Sequence, residues 1–295
     1  MNAMLQRANS IAVVMSPAIG DTLLAMVLVN NLVRNGFRPM VVGWVMEDLA
    51  QWFPGIDVRP ASEMPPRVDL VIQLYATAAG RALSADGELC EISRLDAFNK
   101  AGHMIERFVA VARDTFGLAN VTRDTGIVAP CGIRPRTHAA RVALHPTGSH
   151  DRKIWPRAKF AALAGKLIRR GFEPTFLVAP DEKPAWLMDE DIAPYLHSFV
   201  KFVDVAAWIA ESGFFIGNDS GLGHLASALG VPTPSLFMRR GLALTWRPNW
   251  GRGAIVLPHN LFVGGALKER FWKQALRASR VMHSFERLKV ELELR

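Results

Sequence analysis

Apolar residues along this chain arrive in short dense runs, separated by segments in which they recur every three or four positions. IAVVMS, residues 11–16, is a continuous apolar run of strand length, and TLLAMVLVNNLVRN, residues 22–35, has the spacing of a helix that stops at Gly36. PMVVGWV, residues 39–45, reads as the next strand, so the first 45 residues make one βαβ unit. VDLVIQL, residues 68–74, supplies a third strand, and Asp96 to Phe116 reads as one long amphipathic helix closed by Gly117. Strands that are apolar on both faces belong in parallel sheets covered by helices on both sides, which places the chain in the α/β class.

From Asn120 to Arg141 the periodicity lapses into VTRDTGIVAPCGIRPRTHAAR, rich in glycine, proline and basic residues, and an interdomain linker is expected here. The alternation then restarts with RVALHP, PTFLVAP, GFFIGN and TPSLFM as strands and the segments between them as helices. Two Rossmann-like domains are therefore expected, residues 1–135 and 136–295, the second repeating the architecture of the first without its sequence. The tail from Lys268 to Arg295 reads as a basic helical pair with a solvated face, its last helices packing back on the first domain.

Composition narrows the class of partner. The net charge of +8 and a pI near 9.9 call for something acidic: nucleic acid, a phosphorylated substrate or an anionic membrane surface. Nucleic acid is disfavoured, because no zinc-finger spacing, aromatic RNA-binding strand or heptad-linked basic region is found. The first apolar run is broken by Ser16, Pro17, Gly20 and Asp21, too early for a secretion signal, and no stretch approaches the roughly 20 apolar residues of a spanning helix. With only Cys90 and Cys131, a disulfide framework is not expected, and a cytoplasmic setting is.

Three strand-to-helix turns carry candidate chemistry, and ligands of open α/β sheets bind where strands end. In SPAIGDTLL, Gly20 allows close backbone approach and Asp21 falls at or beside the helix cap, a position for either a general base or a plain N-cap. The spacing of a dinucleotide fingerprint is absent there. In HPTGSHDRKIWP, Thr147, Gly148 and Ser149 offer hydroxyls and backbone N–H groups, and Lys153 brings a cation with a reach suited to phosphate oxygens. In FFIGNDSGLGHLASALG, a buried strand runs into Asp219, Ser220 and Gly221, and a helix follows with His224 one turn in. The N-terminus of that helix is an anion site by construction. The acidic run Asp189, Glu190, Asp191 reads as the surface of a helix rather than a metal site.

Taken together and in this order, AIGDTLL, HPTGSHDRKIWP and IGNDSGLGHLASALGVPTPSLF resemble the motifs of glycosyltransferase family 9, the heptosyltransferases. The resemblance implies a GT-B fold, two Rossmann-like domains with parallel sheets facing a central cleft. It also implies acceptor binding by the first domain and nucleotide-sugar binding by the second. The reaction implied is metal-independent inversion, with no cofactor beyond the ADP-sugar substrate. Carried over position by position, it makes Asp21 the catalytic base and Lys153 a phosphate ligand, and sets Ser149 before the phosphates. Asp181 falls at a ribose-contacting position, and Asp219, Ser220, Gly221 and His224 at the turn around diphosphate and sugar. Where the family has a Gly-Pro-Thr-Asp-Pro-like loop, this chain reads MRRGLALTWRPNW, which alters the donor-sugar contacts on that side.

The function expected is transfer of a heptose, or a related sugar, from an ADP-sugar to a lipopolysaccharide core or related glycan, in the cytoplasm. A phosphorylated glycolipid acceptor and the cluster Lys268, Arg270, Lys273, Arg277 and Arg280 add peripheral contact with an anionic inner membrane. A protein acceptor, another nucleotide sugar, or a catalytically silent binding protein of surface-polysaccharide synthesis remain the alternatives.

Overall fold

The computed structural model describes residues 3–65, 67–84, 87–259 and 265–294, with side chains from 269 onward in the last segment. The chain divides into two compact units, Met1–Pro130 and Cys131–Arg295.

The first unit is built on β1 (Ile11–Val14), β2 (Met40–Val42), β3 (Asp57–Val58), β4 (Leu70–Gln73) and β5 (Glu88–Glu91), all parallel, in the order β3-β2-β1-β4-β5. The helix Ile19–Arg34 that follows β1 is buried without a break from Thr22 to Val29. Its Asn31, also buried, donates to the carbonyls of Val27 and Thr122 and accepts from the Thr122 amide, so a polar residue inside an apolar helix is fully used. Gly36 takes φ +89° after the helix, where the amides of Gly36 and Phe37 close on the last carbonyls.

Two expectations fail in this unit. The strand read over 39–45 ends at Val42, because Gly43 turns sharply at φ +150° and a Cβ there would lie 2.8 Å from that of Met15. Trp44 therefore opens a short helix, Trp44–Asp48, instead of extending the strand. The long helix read over 96–116 is broken: Asp96–Asn99 stops, Gly102 takes φ +135°, and His103 caps a new helix, Met104–Ala110, by accepting from the Ile105 amide. Periodicity survived the break, and so hid it.

The second unit contains β6 (His138–His145), β7 (Glu173–Leu177), β8 (Leu196–His197), β9 (Ser212–Asn218), β10 (Thr233–Leu236) and β11 (Gly253–Val256). They form a second all-parallel sheet, β11-β10-β9-β6-β7-β8. Both sheets are doubly wound. Each grows outward from its first strand and then reverses, at β1/β4 in one and β6/β9 in the other, and the crevice outside the carboxyl ends of such strands is where this architecture binds ligands.

The tail is core as much as surface. Helices Gly265–Ala275 and Ala278–Glu293 and the link between them bury Trp272, Leu276, Val281, Met282, Phe285 and Leu288, and the second helix packs on β10, β11 and the helix Arg157–Ile168 of the same unit. At roughly 1.5–3 kcal/mol for each large apolar side chain fully buried, these contacts hold the tail to the second sheet. Lys159 donates to the carbonyls of Lys273, Gln274 and Leu276, satisfying the end of the first tail helix; burial, then the neighbouring Arg277, lowers its pKa. Of the basic cluster, Lys273 donates to the Asp151 carbonyl and Arg280 to that of Leu257; the Lys268 side chain lies outside the described residues. The acidic run 189–191 forms a turn, not a helix, with the Asp189 carbonyl accepting from the amides of Ile192 and Ala193.

Candidate functional site

In the second unit β6 and β9 lie side by side, Leu144 opposite Ile216 and His145 opposite Gly217, so the turns that leave them meet. Asn218, 1% exposed, donates to the carbonyls of Pro146 (2.9 Å) and Thr147 (3.2 Å) and accepts from the Trp155 amide (3.1 Å). It thereby fixes both ends of the 146–155 loop to the end of β9.

His145 couples the same two turns. Its Nδ1 lies 3.0 Å from Ser220 Oγ and its Nε2 3.2 Å from Thr147 Oγ1, and desolvation pushes its pKa down to about 4. A neutral imidazole donates at one nitrogen and accepts at the other. One of the two hydroxyls therefore gives its proton to the ring and the other keeps its own for a ligand.

Lys153 Nζ donates to Asp219 Oδ2 at 2.8 Å; the lysine side chain is 33% exposed and the aspartate 12%. The turn bearing Lys153 is clamped from behind by the tail, since Trp272 Nε1 donates to the Arg152 carbonyl and Lys273 to that of Asp151. Trp155 Nε1 reaches back to the Leu276 carbonyl.

The helix Gly221–Ala228 starts from Ser220, whose hydroxyl is turned to His145 and does not cap the first-turn N–H groups. Asp219 is not the cap either. The helix thus opens at the ends of β6 and β9 with its N-terminal partial charge uncompensated by an acidic first turn. A Cβ on Gly148 would meet only the Ile154 side chain at 3.8 Å, so the fold itself has no need of glycine there. Ser149 is exposed, Asp181 stands exposed in the turn after the neighbouring β7, and His224 is buried edge-on to Trp250.

In the first unit the β1 turn is bonded within itself and, at the Pro17 carbonyl, to the Trp44 indole. Ala18, not Asp21, occupies the cap of the helix Ile19–Arg34, with Gly20 second and Asp21 third in the helix. Ser16 Oγ donates to Asp21 Oδ2 at 3.2 Å and accepts from the Ala18 amide, and Thr22 Oγ1 donates to the Ser16 carbonyl. Asp21 is partly exposed. Its carboxylate is thus oriented by a hydroxyl.

The structure brings together Thr147, Gly148, Lys153, Asp219, Ser220 and Gly221 around one strand pair, with Ser149 on the same loop and Asp181 one strand over. Gly20 and Asp21 belong to the other unit. Sequence reasoning missed His145 as the bridge, Asn218 as the tie, and Trp272 with Lys273 as the clamp; only the adjacency of His145 to the loop hinted at the first. Among the described residues no group of three or more His, Cys, Asp or Glu is placed to hold a metal ion, and no helix is long and apolar enough to cross a membrane.

The sequence profile of glycosyltransferase family 9 (heptosyltransferase) matches residues 81–248, more than half of the chain. A 121-residue stretch is 32% identical to lipopolysaccharide heptosyltransferase 3 of Escherichia coli, taking in 39% of this chain and 35% of that protein. The alignable part thus spans about a third of the curated relative's length. Among solved structures, the family 9 glycosyl transferase of Veillonella parvula superposes with a TM-score of 0.74 at 16% identity, over 96% of this chain and 98% of that one. The Escherichia coli heptosyltransferase WaaC with ADP superposes at 0.68 and 16% identity, over 95% and 99%. At such identities the likeness speaks for the fold, which is GT-B.

Proposed function

The chain belongs to glycosyltransferase family 9, the heptosyltransferases, and from that premise we propose that it moves a heptose from an ADP-sugar to a lipopolysaccharide core or a related phosphorylated glycan. The observation that carries the reading is the meeting of Lys153, Thr147, Ser220 and an uncapped helix N-terminus where β6 and β9 end. A diphosphate needs cations and N–H donors in one place.

In this reading Asp219 holds Lys153 by one of its three N–H donors and leaves the others for phosphate oxygens. Thr147, Gly148, Ser149, Ser220 and Gly221 surround the diphosphate, Asp181 meets the ribose, and His224 lies toward the sugar. As the bond to the anomeric carbon breaks, negative charge grows on the departing ADP, where Lys153 and the helix Gly221–Ala228 stabilise it without a metal. Asp21 takes the proton of the acceptor hydroxyl that attacks the anomeric carbon, and the configuration inverts. The hydroxyl of Ser16, donating to one carboxylate oxygen, orients the group.

Titration with ADP, UDP, GDP and CMP tests the donor side: ADP binding at least tenfold tighter than the others is expected, and equal binding of all four would remove the adenosine assignment. The basic tail adds peripheral contact with anionic lipid. Arg270 and Arg277 are its exposed members, contributing about 1 kcal/mol each near a charged surface. Co-sedimentation with phosphatidylglycerol vesicles should be weak at about 50 mM salt and abolished at about 500 mM, as the screening length shortens; binding indifferent to salt would exclude it.

A further inference from the structure

Among the described aromatic side chains, Trp44 and Tyr75 are the two that stand exposed, at 45% and 57%. They are not scattered. In the first sheet Val14 of β1 pairs with Val42 of β2 and with Gln73 of β4, so these three residues form one row at the carboxyl edge. Trp44 and Tyr75 each stand two residues beyond that row, in the turns that leave the two strands flanking β1, and the segment that leaves β1 between them carries Asp21. Neighbouring strands are about 4.8 Å apart, which sets β2 and β4, the strands these turns leave, about 10 Å from each other.

The Trp44 ring is held, and the loop that carries Tyr75 is tied. Trp44 follows Gly43, whose positive φ and close approach to Met15 direct the chain over the end of β1, and its indole N–H donates to the Pro17 carbonyl at 3.0 Å. Tyr75 tops a loop tied at its base: Gln73 Oε1 accepts from the amide and hydroxyl of Thr77, which in turn caps the next helix at Gly80. The loop is tight enough that a Cβ on Gly80 would lie 2.1 Å from the Gln73 oxygen. Side chains exposed to about half contribute less to the fold than buried aromatics do.

We infer that Trp44 and Tyr75 form a sugar-stacking platform that seats the acceptor glycan beside Asp21. A pyranose ring has an apolar C–H face, which suits the electron-rich face of an aromatic ring, and a rim of hydroxyls, one of which must reach a carboxylate to be deprotonated. Exposed aromatic residues in the turns on either side of the one that leads to a carboxylate match that combination, whereas a diphosphate would be repelled by the carboxylate. Trp and Tyr lose little conformational freedom on binding, so a prefixed pair serves both affinity and register. This inference rests on the proposed transferase reading and adds the residues that choose the acceptor.

The test is calorimetric titration with a heptose-containing lipopolysaccharide core oligosaccharide, freed of lipid by mild acid, with ADP titrated in parallel. Trp44→Ala and Tyr75→Ala should each weaken the oligosaccharide about tenfold, within the range for loss of one stacked ring, and leave ADP unchanged. Trp44→Phe, which keeps a ring but loses the bond to Pro17, should stay within about threefold of wild type, and melting temperatures of all variants report on folding. Oligosaccharide binding at wild-type strength in both alanine variants, with ADP still bound, would overturn the platform and leave the transferase reading standing. A wild-type protein that binds ADP but no oligosaccharide would likewise overturn it. Failure of the wild type to bind ADP would instead bring down the transferase reading, and the platform with it.

Discussion

The two units reverse their strand order at the same topological point, yet the crevices they offer are bonded in opposite ways. In the second, side chains from different strands knit the turns together: Asn218 to Pro146, Thr147 and Trp155, His145 to Thr147 and Ser220, Lys153 to Asp219. In the first, Ser16 to Asp21 and Gln73 to Thr77 are bonds within single turns, Trp44 alone of these side chains reaches a neighbouring turn, at the Pro17 carbonyl, and Trp44 and Tyr75 stand about half exposed. An anionic ligand needs donors converging from several elements, and convergence has to be built across strands. A single base beside a neutral sugar needs only one oriented carboxylate. The shared topology supplies the position, and the side chains decide the chemistry.

The sharpest way to break this contrast is at its acidic end. Asp21→Asn should lower transfer by about 100-fold or more, as loss of a general base does, with ADP binding unchanged because no ADP contact is assigned to the first unit. Transfer within a few-fold of wild type would show that Asp21 only orders its turn. Asn218→Ala should cost about 2–3 kcal/mol in urea unfolding, since three buried backbone groups lose their partner at once. Ser16→Ala, which removes only the local bonds of the β1 turn, should cost less than about 1 kcal/mol. Equal losses would mean that the two crevices are not built differently.

Lys153→Ala should weaken ADP about tenfold, in line with a charge-assisted bond, and leave adenosine unaffected, because the cation is assigned to phosphate. Similar losses for both ligands would refute that role. The effect at His145 is confined to acid pH. Its folded pKa, about 4, lies below the ordinary 6.5, so between these values the unfolded chain binds a proton that the folded chain refuses. Its contribution is complete above about pH 6.5 and lost as pH falls toward 4, with a slope of at most about 1.4 kcal/mol per pH unit. His145→Phe should flatten stability against pH over that window; an unchanged slope would show that the ring is not what resists protonation.

Much of this was legible in the chain. Apolar runs gave β1, β4, β6, β7, β9 and β10 and the parallel, helix-covered class, because a strand buried on both faces must be apolar throughout. The three strand-to-helix turns were legible for the same reason, and Lys153, Asp219 and Asp21 stand in them. The short edge strands β3, β8 and β11 were not, since two to four partly exposed residues leave no periodic trace. Nor was the break at Gly102, where the apolar spacing continues across an interrupted helix.

What the sequence alone determined, then, is local: which segments bury both faces, where each ends, and which polar residues follow. What only the tertiary structure decided is which ends become neighbours. His145 and Ser220 are 75 residues apart and Trp272 lies 120 from the Arg152 carbonyl it binds, so no window along the chain could pair them. The parallel order of β6 beside β9, and the burial of the tail against the same sheet, bring those groups within hydrogen-bond reach. A hydrogen bond has force only at that distance.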